Sequence, residues 1–450
     1  MKKILLVCLL AGFSFGFIIN PSFAILESGK KIESKTTIFD TINFDWWKQH
    51  NDPYLEGYII TALEKNYDIK TAKLKIEQAG LAVQAQKADS LPQVSIGASP
   101  ILGKFPDSTK SQGSFAMPVI ASWELDLFLK NYDKTKAQKS LLKGTIYQSE
   151  ALNIAIVSQV AAAYYNIVKL DKIIEIQEKL TKDREDIYSL KKIANKEGLC
   201  STNDLILAQK AYILSNNDLL DLKKTRQNAL NALAVLIGDS ANNTKEYERI
   251  SFDSLSDDFT IPAEISSEVI INRPDYKAIE KQLEASGIDV RVAKKEFLPT
   301  INILGLMTFI ASSGSSFNWS NAFSLLGGSA NLPLFTGFKR VANLKLKKNK
   351  YEQVLNDYQK TNLIAIQEIN DSLFNLKTDK QKLLNNKKAF EIQKKDYGYS
   401  QTKFKLGTIS KLDLLQEKEA LLYTQQLLIN AKTDCFIDRI SLYKTTGARL

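Results

Sequence analysis

The chain repeats itself. Asn66-Tyr67-Asp68-Ile69-Lys70 is answered by Arg273-Pro274-Asp275-Tyr276-Lys277, with Asp275 lying 207 positions after Asp68. Leu91-Pro92 is answered by Leu298-Pro299, and Phe128 by Phe335, at the same spacing. Gly198 and Gly238 are answered by Gly407 and Gly447 at a spacing of 209. Ordered landmarks that keep their distances through most of each copy mark a duplicated supersecondary unit. The chain reads as two copies, 54–240 and 261–450, joined by a linker at 241–260 and preceded by an arm at 25–53.

Each copy has the same layout. A helix comes first, at 54–90 and 266–297, and Leu-Pro ends it because the residue before proline is pushed to extended geometry. A β-hairpin follows, at 93–127 and 300–335. Then comes a long helix, 129–197 and 338–404, almost free of glycine and proline. It reverses at a tip near 198–204 and 405–413, and a second helix returns. At roughly 1.5 Å per residue, the first long helix reaches on the order of 100 Å. Val157, Val160, Ala161, Tyr164 and Val168 recur on it at helical spacing.

The strands alternate. Val94, Ile96 and Ala98 interleave with Gln93, Ser95 and Gly97; Trp123, Leu125 and Leu127 interleave with Ser122, Glu124 and Asp126. Ile301, Ile303, Met307 and Phe309 share one face of the third strand. Leu326, Ala330, Leu332 and Leu334 share one face of the fourth, opposite Ser329 and Asn331. That period of two suits a barrel with an apolar exterior and a polar lumen. Known membrane barrels begin at about eight strands, so four strands close only when chains share them. Two chains give eight strands and a filled interior, three give twelve and room for a channel, and composition does not choose between them.

Chemistry-bearing residues are scarce. The chain has one His, His50, and three Cys, Cys8, Cys200 and Cys435, with no nucleophile elbow, zinc-binding helix motif or C-x-x-C pair. Neither a catalytic residue, a metal site nor a cofactor is expected. After residue 24 only Met117 and Met307 remain as methionines, too few for a thioether path for a soft metal. Lys2 and Lys3, the 16 uncharged residues Ile4 to Ile19, and Ser22-Phe23-Ala24 read as a signal peptide over 1–24, shorter than the ~20 apolar residues a spanning helix needs. The net charge of +10 then falls to +8 with the loss of two Lys, and in an exported protein it points to anionic surfaces rather than to nucleic acid.

These stretches together resemble the TolC-type outer-membrane efflux protein family. The resemblance runs from Trp47 to about Gly447 and rests on order and duplication. It is carried by Asn66 to Ile69 with Leu91-Pro92, by Ser122-Trp123-Glu124-Leu125-Asp126-Leu127-Phe128, and by Arg273-Pro274-Asp275. Phe297-Leu298-Pro299, Pro333-Leu334-Phe335-Thr336-Gly337, the two tips and Leu442-Tyr443-Lys444 complete it. The Trp-Glu-Leu-Asp-Leu-Phe and Arg-Pro-Asp segments resemble the efflux branch more than the protein-secretion branch. The resemblance implies a mainly α chain with a membrane β-barrel. Three copies complete a 12-stranded barrel in outer-membrane lipid and a periplasmic α-barrel of long antiparallel hairpins. It also implies a passive gated duct, in tripartite efflux or type I secretion, that exports small toxic compounds or polypeptides. A periplasmic adaptor and an inner-membrane pump are the implied partners. The alternative expectation is a secreted or periplasmic coiled-coil structural or adaptor protein.

By resemblance, Gly198, Leu199 and Ser201 lie on the first tip, and Leu406, Gly407, Thr408 and Ser410 on the second, where gate and adaptor docking meet. Asp204 and Asp413 match acidic positions at the constriction, where three copies of a like charge raise one another's pKa. The local alternative for each is a helix N-cap. Phe404, Ile409 and Gln416 depart from the family's hydroxyl, basic and second acidic positions, so apolar packing of Phe404 and Ile409 is expected to close the gate in place of ion pairs.

Overall fold

In the computed structural model the described residues are 47, 52–103, 112–241, 246–256, 261–262, 265–266, 268–312 and 322–448. They all belong to one compact unit, Asn43–Leu450. The signal peptide expected over 1–24, Cys8, His50 and most of the arm at 25–53 lie outside the described residues.

The first repeat begins with α1 (Pro53–Lys65) and α2 (Tyr67–Ala88). The sequence reads these as one helix, and the structure breaks it at Asn66. The Asn66 side chain accepts the backbone N–H groups of Asp68 and Ile69, which starts a new helix with its own cap. The second repeat breaks at the equivalent place, Arg273, between α5 (Glu268–Asn272) and α6 (Pro274–Lys295). Pro274 stands at the first position of α6, where its missing N–H costs nothing. Asn66 and Arg273 share the same extended backbone, φ −57 and ψ 132 against φ −59 and ψ 136.

Both breaks serve one purpose. The returning helices α4 (Thr202–Leu236) and α8 (Lys411–Thr445) end in glycine turns whose last carbonyls need partners. Asn66 Nδ2 donates to Leu236 O at 2.8 Å, and Arg273 Nη1 donates to Thr445 O at 2.9 Å. Leu236 and Thr445 are 209 apart, so a neutral amide and a buried guanidinium make the same joint in the two copies. Gly238 closes the first joint at φ +71, and a Cβ there would stand 2.5 Å from Lys65 O.

Two helices of 67 residues dominate, α3 (Lys130–Lys196) and α7 (Lys339–Lys405), each about 100 Å long. α3 is the central one, packed by α2, α4, α6 and α8. Its expected face is the core: Val157, Val160, Ala161, Tyr164 and Val168 are all buried. Tyr58, Tyr164, Tyr165 and Phe436 run as a chain of ring contacts with centroids 5.2 to 6.0 Å apart. The linker crosses this level. Ile250 N donates to Tyr164 Oη, and Arg249 and Arg226 both hold Asp171. α7 has the same length yet buries few side chains: α6 and α8 pack along it, and much of the rest of its surface is exposed in a single chain.

The sheet is antiparallel. β1 (Gln93–Ile96) and β2 (Ser99–Gly103) pair with β3 (Gln112–Leu125), β3 pairs with β4 (Thr300–Ser312), and β4 with β5 (Ala322–Asn331). β1 and β2 keep one register along β3 and are interrupted opposite Pro118, which has no N–H to give the ladder. The strands are shorter than the alternation suggests. Leu127, Leu332 and Leu334 lie beyond the ends of β3 and β5.

Register separates two faces. Val94, Ala121, Gly305 and Leu326 stand in one row, with Trp123, Ile303 and Gly328 beside it, and this face carries apolar side chains along its length. The opposite face differs from the polar lumen expected. Gln93, Ser122, Glu124, Asn302 and Ser329 are polar near the helices, but Ile120, Leu306 and Leu325 form an apolar row farther out. Alternation reports only which residues share a face, and β4 is apolar at Leu304 and Leu306 as well as at Ile303 and Met307. Among the described residues β5 and the β1–β2 strand each have one neighbour, so both outer edges of the sheet are open.

Candidate gate at the helical tips

The two tips are built alike. Gly198, at φ +69, lets α3 end in a tight reversal in which Leu199 N reaches back to Ala194 O at 2.8 Å. Gly407, at φ +71, does the same for α7, with Thr408 N bonded to Lys403 O at 2.9 Å. Nothing lies within 4 Å of a Cβ at either glycine, so the demand there is conformational only.

The next residues start the returning helices. The N-caps are Ser201 and Ser410, not the aspartates three positions on. Ser201 Oγ accepts from Asp204 N at 3.0 Å. Ser410 and Asp413 form a full capping box: Asp413 N donates to Ser410 Oγ at 3.1 Å, and Ser410 N donates back to Asp413 Oδ2 at 3.0 Å. The Ser410 hydroxyl and its backbone N–H hold the Asp413 carboxyl below the usual range in the single chain. This opposes the upward push expected of three like charges around an axis.

Leu199 and Leu406 present bare apolar side chains to solvent, 81% and 75% exposed. Phe404 is partly exposed and Ile409 half-buried. Gln416 lies one turn up α8, in a shallow groove lined by Leu180 and Arg184 of α3 and by Glu419 and Tyr423.

The ties between the two hairpins stand above the tips. Lys418 Nζ donates to Asp183 Oδ1 at 2.6 Å, and Arg184 Nε to Glu419 Oε1 at 3.0 Å. They form a reciprocal clamp in which an acid and a base on α3 meet a base and an acid on α8. Asp183 is only 6% exposed, and Lys418 is the cation paired with it. The sequence reading missed this clamp. Its only signal is a pair of adjacent complementary charges, and the chain offers 60 basic and 50 acidic residues among which to find it.

A second charged feature lies between α7 and α8. Burial and the neighbouring Asp379 and Asp434 push the Asp438 carboxyl up to about 7, against a weaker pull from Lys382. A carboxyl raised on folding takes up a proton, so it favours the folded state as pH falls from about 7 toward the ordinary carboxylate range. Asp438→Asn is expected to flatten that pH dependence and raise stability at pH 8. Helical unfolding followed at both pH values checks this, and an unchanged slope sinks it.

The comparisons with known proteins agree with this geometry. The family model described as "Outer membrane efflux protein" matches residues 59–239 and 265–448, one match per repeat. The "Probable efflux pump outer membrane protein TtgC" of Pseudomonas putida is 25% identical over 412 residues, covering 89% of this chain and 84% of that protein. The "Cation efflux system protein CusC" of Escherichia coli is 24% identical over 411 residues, covering 90% and 89%. Among solved structures, the Campylobacter jejuni CmeC outer membrane channel superposes with a TM-score of 0.83 at 24% identity, covering 91% of this chain and 89% of that one. The open state of the Neisseria gonorrhoeae MtrE outer membrane channel superposes at 0.78 with 23% identity, covering 89% and 90%.

Proposed function

Because this chain belongs to the outer membrane efflux protein family, we propose that it is the outer-membrane exit duct of a tripartite export system and works as a homotrimer. The observation that carries the reading is the sheet: one predominantly apolar face, two edges open among the described residues, and four strand positions in a fold whose closure needs at least about eight. Three copies give twelve strands, and the same operation sets the under-buried α7 of each copy against a neighbour. The family match spans the strands of both repeats, which leaves the periplasmic coiled-coil alternative without support.

The duct is passive. An inner-membrane pump supplies the energy, and a periplasmic adaptor docks on the tips, where Leu199 and Leu406 offer exposed apolar contacts beside Gly198, Ser201, Gly407, Thr408 and Ser410. Asp204 and Asp413 ring the constriction, and Phe404, Ile409 and Gln416 narrow it. The pairs of Asp183 with Lys418 and Arg184 with Glu419 tie the two hairpins together, and we assign them to the closed arrangement of the gate. Relatives named for antibiotic, solvent and cation efflux support export of small compounds in this chain.

The mass of the detergent-extracted species from the outer-membrane fraction, corrected for bound detergent, tests the assembly. About three chains is the expected result. A single chain in the soluble fraction would remove the barrel.

A further inference from the structure

The face of the sheet turned away from Trp123 and Ile303 carries its polar groups at one end only. Glu124 is the one charged residue in the five strands. It stands on that face in a row with Asn302 and Ser329, near the helices. Lys130, in the first turn of α3, holds it at 2.6 Å. An ion pair beside two polar side chains suits a watery lumen and not lipid. Alternation then places every second residue of β3, β4 and β5 on the same lumen wall.

Along that wall the chemistry changes. One row beyond Glu124, Leu304 stands between Ser122 and Gly327. Roughly 13 Å from Glu124 along the strand, Ile120, Leu306 and Leu325 fill a whole row. In the next, Pro118 and Phe323 flank Thr308. Side chains directly opposite on neighbouring strands have Cβ atoms about 5 Å apart, so these residues make one continuous apolar patch across three strands.

The patch is uncovered. Phe323, Leu325, Leu304 and Ile120 are 56%, 52%, 45% and 37% exposed. Twelve strands enclose more than side chains can fill, so closing the barrel leaves the wall facing water. Large apolar side chains grouped in water mark a surface that something else covers. The strands offer no charge there to hold an ion. Only hydroxyls border the patch, Thr308 within it and Ser95 beside Ile120. A solute with an uncharged apolar face releases water from both surfaces when it lies on it.

We propose that Ile120, Leu304, Leu306, Phe323 and Leu325, beside Pro118, form a resting site on the lumen wall for apolar organic solutes in transit, one in each protomer. The proposal rests on the outer-membrane duct reading and adds to it a place inside the barrel where cargo is held and the class of cargo that fits.

The test uses the full-length protein in phosphatidylcholine vesicles with one cysteine introduced at a time. Leu306→Cys and Leu325→Cys lie on the patch, Asn302→Cys in the polar row and Leu326→Cys on the opposite face. Each is treated with the membrane-impermeant 2-sulfonatoethyl methanethiosulfonate at pH 7, with and without 1-naphthol, and modification at the new position is read by peptide mass. Cysteines at 302, 306 and 325 are expected to react, and that at 326 is not. At about four times its Kd, 1-naphthol is expected to slow the reaction at 306 and 325 about fivefold and to leave 302 unchanged. Adding Leu325→Asn to Leu306→Cys is expected to remove the protection. If 306 and 325 react and neither is protected, the patch holds no apolar solute and the proposal is wrong. If 302 reacts while 306 and 325 do not, protein covers the patch, which overturns it as well. If 326 reacts and 302 does not, the lumen is not on this face, and the barrel reading fails and takes the site with it.

Discussion

Arg273→Ala is expected to cost the folded protein roughly 3 kcal/mol, the largest loss from any single truncation outside the packed core. The guanidinium is 8% exposed and makes four hydrogen bonds. It grips both oxygens of Asp275 at 3.0 and 2.6 Å, Glu368 at 2.7 Å and Thr445 O at 2.9 Å. Removing it unties α6 from α7 and from the last turn of α8 at once. Asp275 and Glu368 are about two-fifths exposed and regain water, which keeps the loss at the low end for a broken buried pair. The equivalent truncation in the first repeat, Asn66→Ala, removes a cap and one carbonyl partner and is expected to cost about 2 kcal/mol. Arg273→Lys keeps the charge but loses the planar fork, so it should fall between the wild type and Arg273→Ala. Denaturant unfolding followed by helical circular dichroism ranks the three. An Arg273→Ala protein no less stable than Asn66→Ala sinks the argument.

That pair of residues also shows what could be read in the sequence and what could not. The 207-residue repeat set Asn66 against Arg273, because duplication preserves position even when chemistry diverges, but it read both as the interior of one helix and did not show the break. It did not reveal that an amide and a guanidinium serve equivalent carbonyls, since that depends on where α4 and α8 end in space. The tips were legible because a left-handed residue in a tight reversal leaves glycine as its signature, at Gly198 and Gly407 alike. The caps were misassigned although Ser-x-x-Asp is itself a capping signature, since both serine and aspartate are good caps. Alternation carried the strands past their true ends because Leu127, Leu332 and Leu334 stay apolar after the backbone has left the ladder. The clamp was hidden for a different reason. Both of its ion pairs join residues 235 positions apart, and no local pattern encodes the packing of α3 against α8.

Lys418→Glu is expected to open the duct. Asp183 is buried at 6% exposure, and in the variant it faces a like charge in place of its only cationic partner among the described residues. Lys418 is one-third exposed, which holds the cost near 2 kcal/mol, below the full price of a broken buried pair. Paid in the closed arrangement alone, about 2 kcal/mol shifts the closed-to-open ratio roughly thirtyfold. In planar bilayers this reads as a higher open fraction and a conductance less sensitive to voltage. The neighbouring pair, Arg184 with Glu419, is more exposed, so Glu419→Ala is expected to give a smaller effect in the same direction. Asp183→Lys combined with Lys418→Glu restores opposite charges at the same 235-residue register and should return the channel toward its closed state. Ile409→Asp and Asp413→Ala probe the tip itself. If they open the channel and Lys418→Glu does not, closure is held by apolar contact at the tips and the clamp only aligns the helices. If neither class changes opening, the constriction lies elsewhere in the duct, and the apolar row of Ile120, Leu306 and Leu325 becomes the place to look.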